Sequence, residues 1–210
     1  MWMIGELFII FGGMVASLLM FRHPDRLDGR PKDIAVLLSF CFLAIALSGL
    51  TKLLIPVNNM DQQTLLRLMI NLRDFIAIPL TASILLLLAF NKRYSRAAWG
   101  RWALVLFALF ELLRRNGSGE LYGECLHLIS SVCLLVLAIK APCKSSILPL
   151  LGAALSWVIS LNVLGTYAVI SLSDAPWSVW LYSILLGVSL ILISAGMNPI
   201  IRRLQEDRAQ

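Results

Sequence analysis

The chain is short of charge and almost without histidine. Asp, Glu, Lys and Arg make up 14% of its 210 residues, against about 25% in a soluble domain. A water-soluble fold of this size needs more polar surface than that. A membrane fold does not, because its outer face meets lipid. The features that usually announce a site are scarce as well. There are two histidines and four cysteines, and no two cysteines stand at metal-site or redox spacing. Cys41 and Cys133 lie within apolar runs, Cys125 near the start of one, and Cys143 in a short basic loop. That placement argues against a disulfide framework, a zinc site and a thioredoxin-like centre. No phosphate-binding glycine loop, dinucleotide fingerprint or Ser/His/Asp order stands out. Residues 178–200 hold no lysine, which removes a retinal Schiff base in the last helix.

Two further absences concern organisation. No basic region precedes the first apolar run and no small-residue cleavage site closes it, while Arg22, Arg26, Arg30 and Lys32 follow it. The run therefore reads as a retained transmembrane helix rather than a signal peptide. No soluble segment is long: RHPDRLDGRPKD has about twelve residues and the tail after Ile201 nine. Residues 1–210 are expected to form a single transmembrane domain with no attached kinase or cyclase.

What is present is apolar sequence in long runs, 59% of the chain. A helical span needs about 20 mostly apolar residues. Seven segments qualify: 2–21, 33–55, 65–90, 98–115, 120–139, 147–171 and 178–200, the fourth being weak because its uninterrupted apolar run stops at Phe110. Backbone groups in lipid must be bonded internally, so these are helices. Unbroken runs such as Ile84–Phe90 contradict the alternation of a β-barrel. The expected fold is an all-α polytopic bundle of about seven transmembrane helices. Placing the N-terminus outside and the C-terminus inside puts thirteen of the eighteen Lys and Arg on the inner side, in line with the positive-inside rule. The net charge of +6 is spread over loop-sized clusters that suit anionic lipid rather than nucleic acid. The expected setting is a cell membrane, the bacterial inner (plasma) membrane, with the bilayer as partner. Gly12–Ala16, Gly13–Ser17, Gly152–Ser156–Ser160 and Ser183–Gly187 supply small-residue faces for packing within the chain, or against itself or another membrane protein.

The stretch ELLRRNGSGELYGECLH, residues 111–127, breaks the pattern with six ionisable side chains. Asn116–Gly119 is turn chemistry. An antiparallel hairpin around it sets Arg115 level with Glu120, and Glu111 level with Glu124, with His127 one turn deeper. The third span carries Arg67, Asn71 and Asp74 at i, i+4 and i+7, with Arg73 alongside and Pro79 below, where it frees the carbonyl of Phe75. Glu6, Lys52, Asn162, Thr166 and Tyr167 reach the same level, while the inner halves of the spans have almost no charge. The expectation is an outward-facing polar vestibule above an apolar plug. Two readings stand side by side: ion pairs locking the third, fourth and fifth helices together, or a site for a ligand or ion.

As a site, Glu111 and Glu124 hold a proton or cation and His127 relays it. Arg67, Arg73 and Arg114 contact an anion, with Asp74, Asn162 and Tyr167 completing the lining. Glu124 and His127 have the Glu-x-x-His spacing of a di-iron ligand pair, but such a centre needs a second copy, and His23 lies in the opposite loop. No metal, cofactor or catalytic residue is assigned. The expected function is a small carrier or binding protein for a polar or charged solute. The alternatives are a non-catalytic subunit that steadies another membrane protein, and an enzyme acting on lipid head groups. If the carrier reading holds, Glu111→Gln or Glu124→Gln abolishes solute-dependent flux while folding survives, and unchanged flux removes these roles.

Overall fold

The computed structural model describes residues 2–22, 30–55, 59–92, 94–168 and 177–209, which form seven helices and, among the described residues, no strand. They are α1 (Trp2–Phe21), α2 (Arg30–Leu54), α3 (Met60–Ala89), α4 (Arg96–Arg115), α5 (Gly119–Lys140), α6 (Lys144–Leu164) and α7 (Ser178–Ala209). All but α4 are long and apolar enough to cross a membrane. In α4 every eighteen-residue stretch holds at least three charges, drawn from Arg96, Arg101, Glu111, Arg114 and Arg115.

Six helices close a ring. The neighbours run α1, α2, α3, α5, α6, α7 and back to α1, and α2 also touches α7 across the middle. α4 lies outside this ring, against α5 and the central turn of α3. Burial follows from the arrangement: Met20, Leu38, Phe42, Leu137, Trp157, Ile193 and Met197 are sealed inside. Phe11, Phe40, Leu104, Leu128, Ile139 and Leu155 face outward, the apolar exterior that lipid requires. Such a surface gives no net gain on helix association in a bilayer, so close packing must hold the ring.

Glycine supplies that packing where α1 meets its neighbours. A methyl group at Gly12 would strike the Gly187 backbone, and one at Gly187 would strike the carbonyl of Phe8. Gly13 lies equally close to Phe42 and Ala46 of α2. The small-residue faces of α1 and α7 are thus used within the chain.

Several helix ends differ from the sequence expectation. α3 begins at Met60 rather than near 65, because Gln62 Oε1 accepts the Asn59 N–H at 3.2 Å and caps the first turn. α6 stops at Leu164, where Gly165 turns to extended backbone; residues 169–171 of the expected 147–171 span lie outside the described residues, as do His23, Arg26 and Arg93. α7 continues to Ala209 because Ile200 and Ile201 remain buried and Leu204 packs on the core. Two helices also widen for one turn, α3 over Arg73–Ala77 and α6 over Ser160–Leu164. In α3 the Ile78 N–H reaches back to the Arg73 carbonyl, five residues rather than four. This wide turn precedes Pro79, whose ring would clash with the Phe75 carbonyl in a regular helix.

The α1–α7 contact gives a stability test. Gly187→Val should push the two helices apart and cost about 1–3 kcal/mol, read as earlier thermal loss of the monodisperse protein in detergent. Gly100→Ala, with nothing within 4 Å of the added carbon, should be neutral or slightly stabilising.

Candidate functional site

Each ring helix brings a buried polar side chain to the end of the bundle where α1 begins and α2 ends. α1 contributes Glu6, α3 Arg73 and Asp74, α5 His127, α6 Asn162, and α7 Ser183, while α2 contributes the half-buried Lys52. At Arg73 and Asp74 the wide turn of α3 carries both side chains inward, 6% and 1% exposed. The guanidinium forks back onto its sequence neighbour, Nε to Oδ1 at 2.7 Å and Nη2 to Oδ2 at 3.0 Å. Its Cζ also lies 5.5 Å from the centre of the Tyr182 ring, within cation–π range. Glu6 is paired with Lys52 and accepts a bond from Ser183 Oγ at 3.4 Å. It also lies within electrostatic reach of Arg73. Two cations and two anions thus balance. A buried charge is tolerated when matched in this way, and expensive when its partner is removed.

Beside this quartet α5 and α6 form a second polar patch. Asn162 Nδ2 donates to Ser131 Oγ at 2.7 Å and to the Val158 carbonyl at 3.2 Å. Ser131 in turn donates to the His127 carbonyl at 2.9 Å. His127 is 1% exposed, and Asp74, Arg73 and the Leu161 backbone lie close enough to act on its ring. Yet neither ring nitrogen has a protein partner in hydrogen-bond geometry, nor do Asn162 Oδ1 and Ser130 Oγ. A buried polar atom left so costs about 1–3 kcal/mol, so four within a turn or so of each other invite a polar guest. Tyr167, just beyond α6, closes over the patch. Its ring meets His127 edge-on at 5.6 Å and rests on Gly123, where a methyl group would overlap it. Burial, then the carboxylates of Asp74 and Glu120, push its hydroxyl above its ordinary pKa, keeping it a neutral donor.

The structure divides the nine residues singled out in the sequence. Asp74, Arg73, His127, Asn162 and Tyr167 come together inside the ring. Arg67, Glu111 and Arg114 line a lateral cleft between α3 and α4, with Asn71. Glu124 is half-buried on α5, one turn before His127, and pairs with no described residue. The expected cross-helix lock is not seen in the hairpin. Glu111 is bound at 2.8–3.0 Å by Arg114 and Arg115 of its own helix, because residues three and four apart are already in reach. Glu6–Lys52 does pair across two helices, α1 and α2. Tyr182, Ser130 and Ser131 escaped the sequence reading and Ser183 was read only as a packing residue, although matching depths around the bundle, the rule used for the hairpin, also places Tyr182 and Ser183 level with Glu6. Among the described residues no group of three or more His, Cys, Asp and Glu is gathered to hold a metal ion.

Comparison with protein-family models, with curated proteins and with solved structures finds no match to this chain. The fold itself defines the class. The chain is a multi-pass helical membrane protein, and its bundle encloses ionisable side chains.

The two ion-pair settings predict opposite outcomes. Asp74→Ala leaves Arg73 buried and unmatched and should cost about 3–5 kcal/mol. Glu111→Ala, at the exposed end of α4, should leave thermal stability in detergent unchanged. Equal losses would show that the buried pair carries no special weight.

Proposed function

We propose that this protein is a small carrier or binding protein for a polar or charged solute, with its site inside the ring at the polar end. The observation that carries the reading is the set of unpartnered buried atoms at His127, Asn162 and Ser130 beside the balanced charges of Arg73, Asp74, Glu6 and Lys52. Ionisable groups within the bilayer are costly and commonly mark solute or proton pathways. His127 and Asn162 offer donors and acceptors to the solute, Tyr167 covers it, and the Arg73–Asp74 pair sets the local field. Glu124 supplies a protonatable group on the approach from the hairpin, with Glu111, Arg67 and Arg114 as outer charges. The apolar inner half separates the site from the other face until the helices rearrange. The chain is proposed to sit N-out and C-in, in a bacterial inner membrane.

The test has two stages. The purified protein is screened for thermal stabilisation by amino acids, carboxylates, polyamines, sugars and inorganic ions. Uptake of the best stabiliser, radiolabelled, is then followed in proteoliposomes. His127→Gln and Glu124→Gln should keep the fold and abolish uptake. Unchanged uptake in both would move the site elsewhere. Orientation has its own check: Cys143 should resist an impermeant maleimide on intact cells and react once the membrane is opened.

One observation favours the accessory-subunit reading as a second possibility. α4 lies outside the ring and keeps Leu104, Phe107, Leu109 and Leu112 exposed, a face another membrane protein can cover. A partner co-purifying at fixed stoichiometry, with no stabilising solute found, would put that reading first.

A further inference from the structure

We infer that the lateral cleft between α3 and α4 binds a phospholipid, with the phosphate at Arg67 and Arg114 and an acyl chain along the cleft wall. This site is separate from the one inside the ring. The cleft lies where α4 is pinned five residues before its C-terminal end, Phe110 stacking on Phe75 with ring centres 3.9 Å apart. Toward the hairpin turn the two helices leave between them a cavity of about 610 Å³.

Its lining is graded along the helix axes. On α3 it passes from Thr64 and Arg67, through Leu68, Met69 and Asn71, to Leu72 and Ile76. On α4 it passes from Arg114 and Glu111 to Phe110 and Phe107. Both walls therefore run from charged near the helix ends to apolar toward the middle, over roughly 14 Å at 1.5 Å per residue between Arg67 and Ile76. A phospholipid has the same gradient, from head group to chain, and a small polar solute has not. The charge matches too. Arg114 is shared with Glu111, while Arg67 forms no ion pair with a described residue, so the cleft carries one excess positive charge for one phosphodiester. A guanidinium binds phosphate oxygens through paired N–H donors. The cleft lies outside the ring, where a lipid reaches it from the bilayer without passing through protein.

The experiment is native mass spectrometry of the full chain in mild detergent, titrated with dioleoyl phosphatidylglycerol. Dioleoylglycerol, which lacks the phosphate, and inorganic phosphate are run in parallel. A single phosphatidylglycerol adduct should form in preference to either control. It should weaken about tenfold in Arg67→Ala/Arg114→Ala and persist in Arg202→Ala/Arg203→Ala, which removes the same charge at the far end of α7. Leu68→Trp fills the cleft wall while keeping both arginines and should also displace the adduct, so the test stands even if the double variant misfolds. Equal binding of dioleoylglycerol, binding of phosphate alone, or equal loss in both arginine double variants would overturn the assignment. So would a protein partner occupying the cleft in place of lipid.

Discussion

The buried pairing of Arg73 with Asp74 is the interaction around which this bundle is arranged. Neighbours in sequence normally diverge on a helix by about 100°. Here α3 opens into a wide turn, and the guanidinium folds back onto the adjacent carboxylate with two bonds of 2.7 and 3.0 Å. The pair is neutral before any other helix arrives, so α3 can enter a low-dielectric interior carrying two ions. The same turn accommodates Pro79 and delivers Phe75 as the platform on which Phe110 and Tyr167 rest. Backbone relief, charge burial and the attachment of α4 thus meet within seven residues, Arg73–Pro79.

Around this centre the ring is held by contact rather than by exclusion of water. Gly12 against Gly187 and Gly13 against Ala46 let α1 sit within backbone reach of both neighbours. The Glu6–Lys52 pair and the Ser183 bond then fix the α1–α2–α7 corner at the polar end. The α5–α6 corner is different in kind. Asn162 and Ser131 bridge it by one direct bond, yet His127 and Asn162 retain unpartnered atoms. The first corner leaves Glu6 Oε2 unpartnered among the described residues, whereas the second leaves four such atoms, at His127, Asn162 and Ser130. That asymmetry underlies the proposed solute site.

α4 shows how composition and topology can disagree. Its five charges deny it the composition of an independent span, yet a turn of three residues, Asn116–Ser118, ties it to α5 and six residues, 90–95, tie it to α3. It therefore lies along the outside of the ring, amphipathic, with Glu111, Arg114 and Arg115 satisfying one another on its own surface. These three charges do not cross to α3 or α5 because their nearest partners are on the same helix, and the cleft beside α4 follows.

The sequence by itself determined that the chain is an all-helical membrane bundle, because apolar runs of span length leave the backbone no other way to bond in lipid. It also determined that the polar groups within the spans gather toward one end, since the positions of Glu6, Lys52, Asp74, His127 and Asn162 along their spans are a matter of counting. Counting gives depth and not azimuth. Only the tertiary structure decided which of these residues face one another. The wide turn of α3 drew Arg73 and Asp74 inward, and ring closure set His127 against Asn162 and Tyr167. The exclusion of α4 sent Arg67, Glu111 and Arg114 to a different surface. Pro79 gives the change of helical register in α3 a local cause, but which side chains it turns toward which neighbours depends on contacts among residues far apart in the chain.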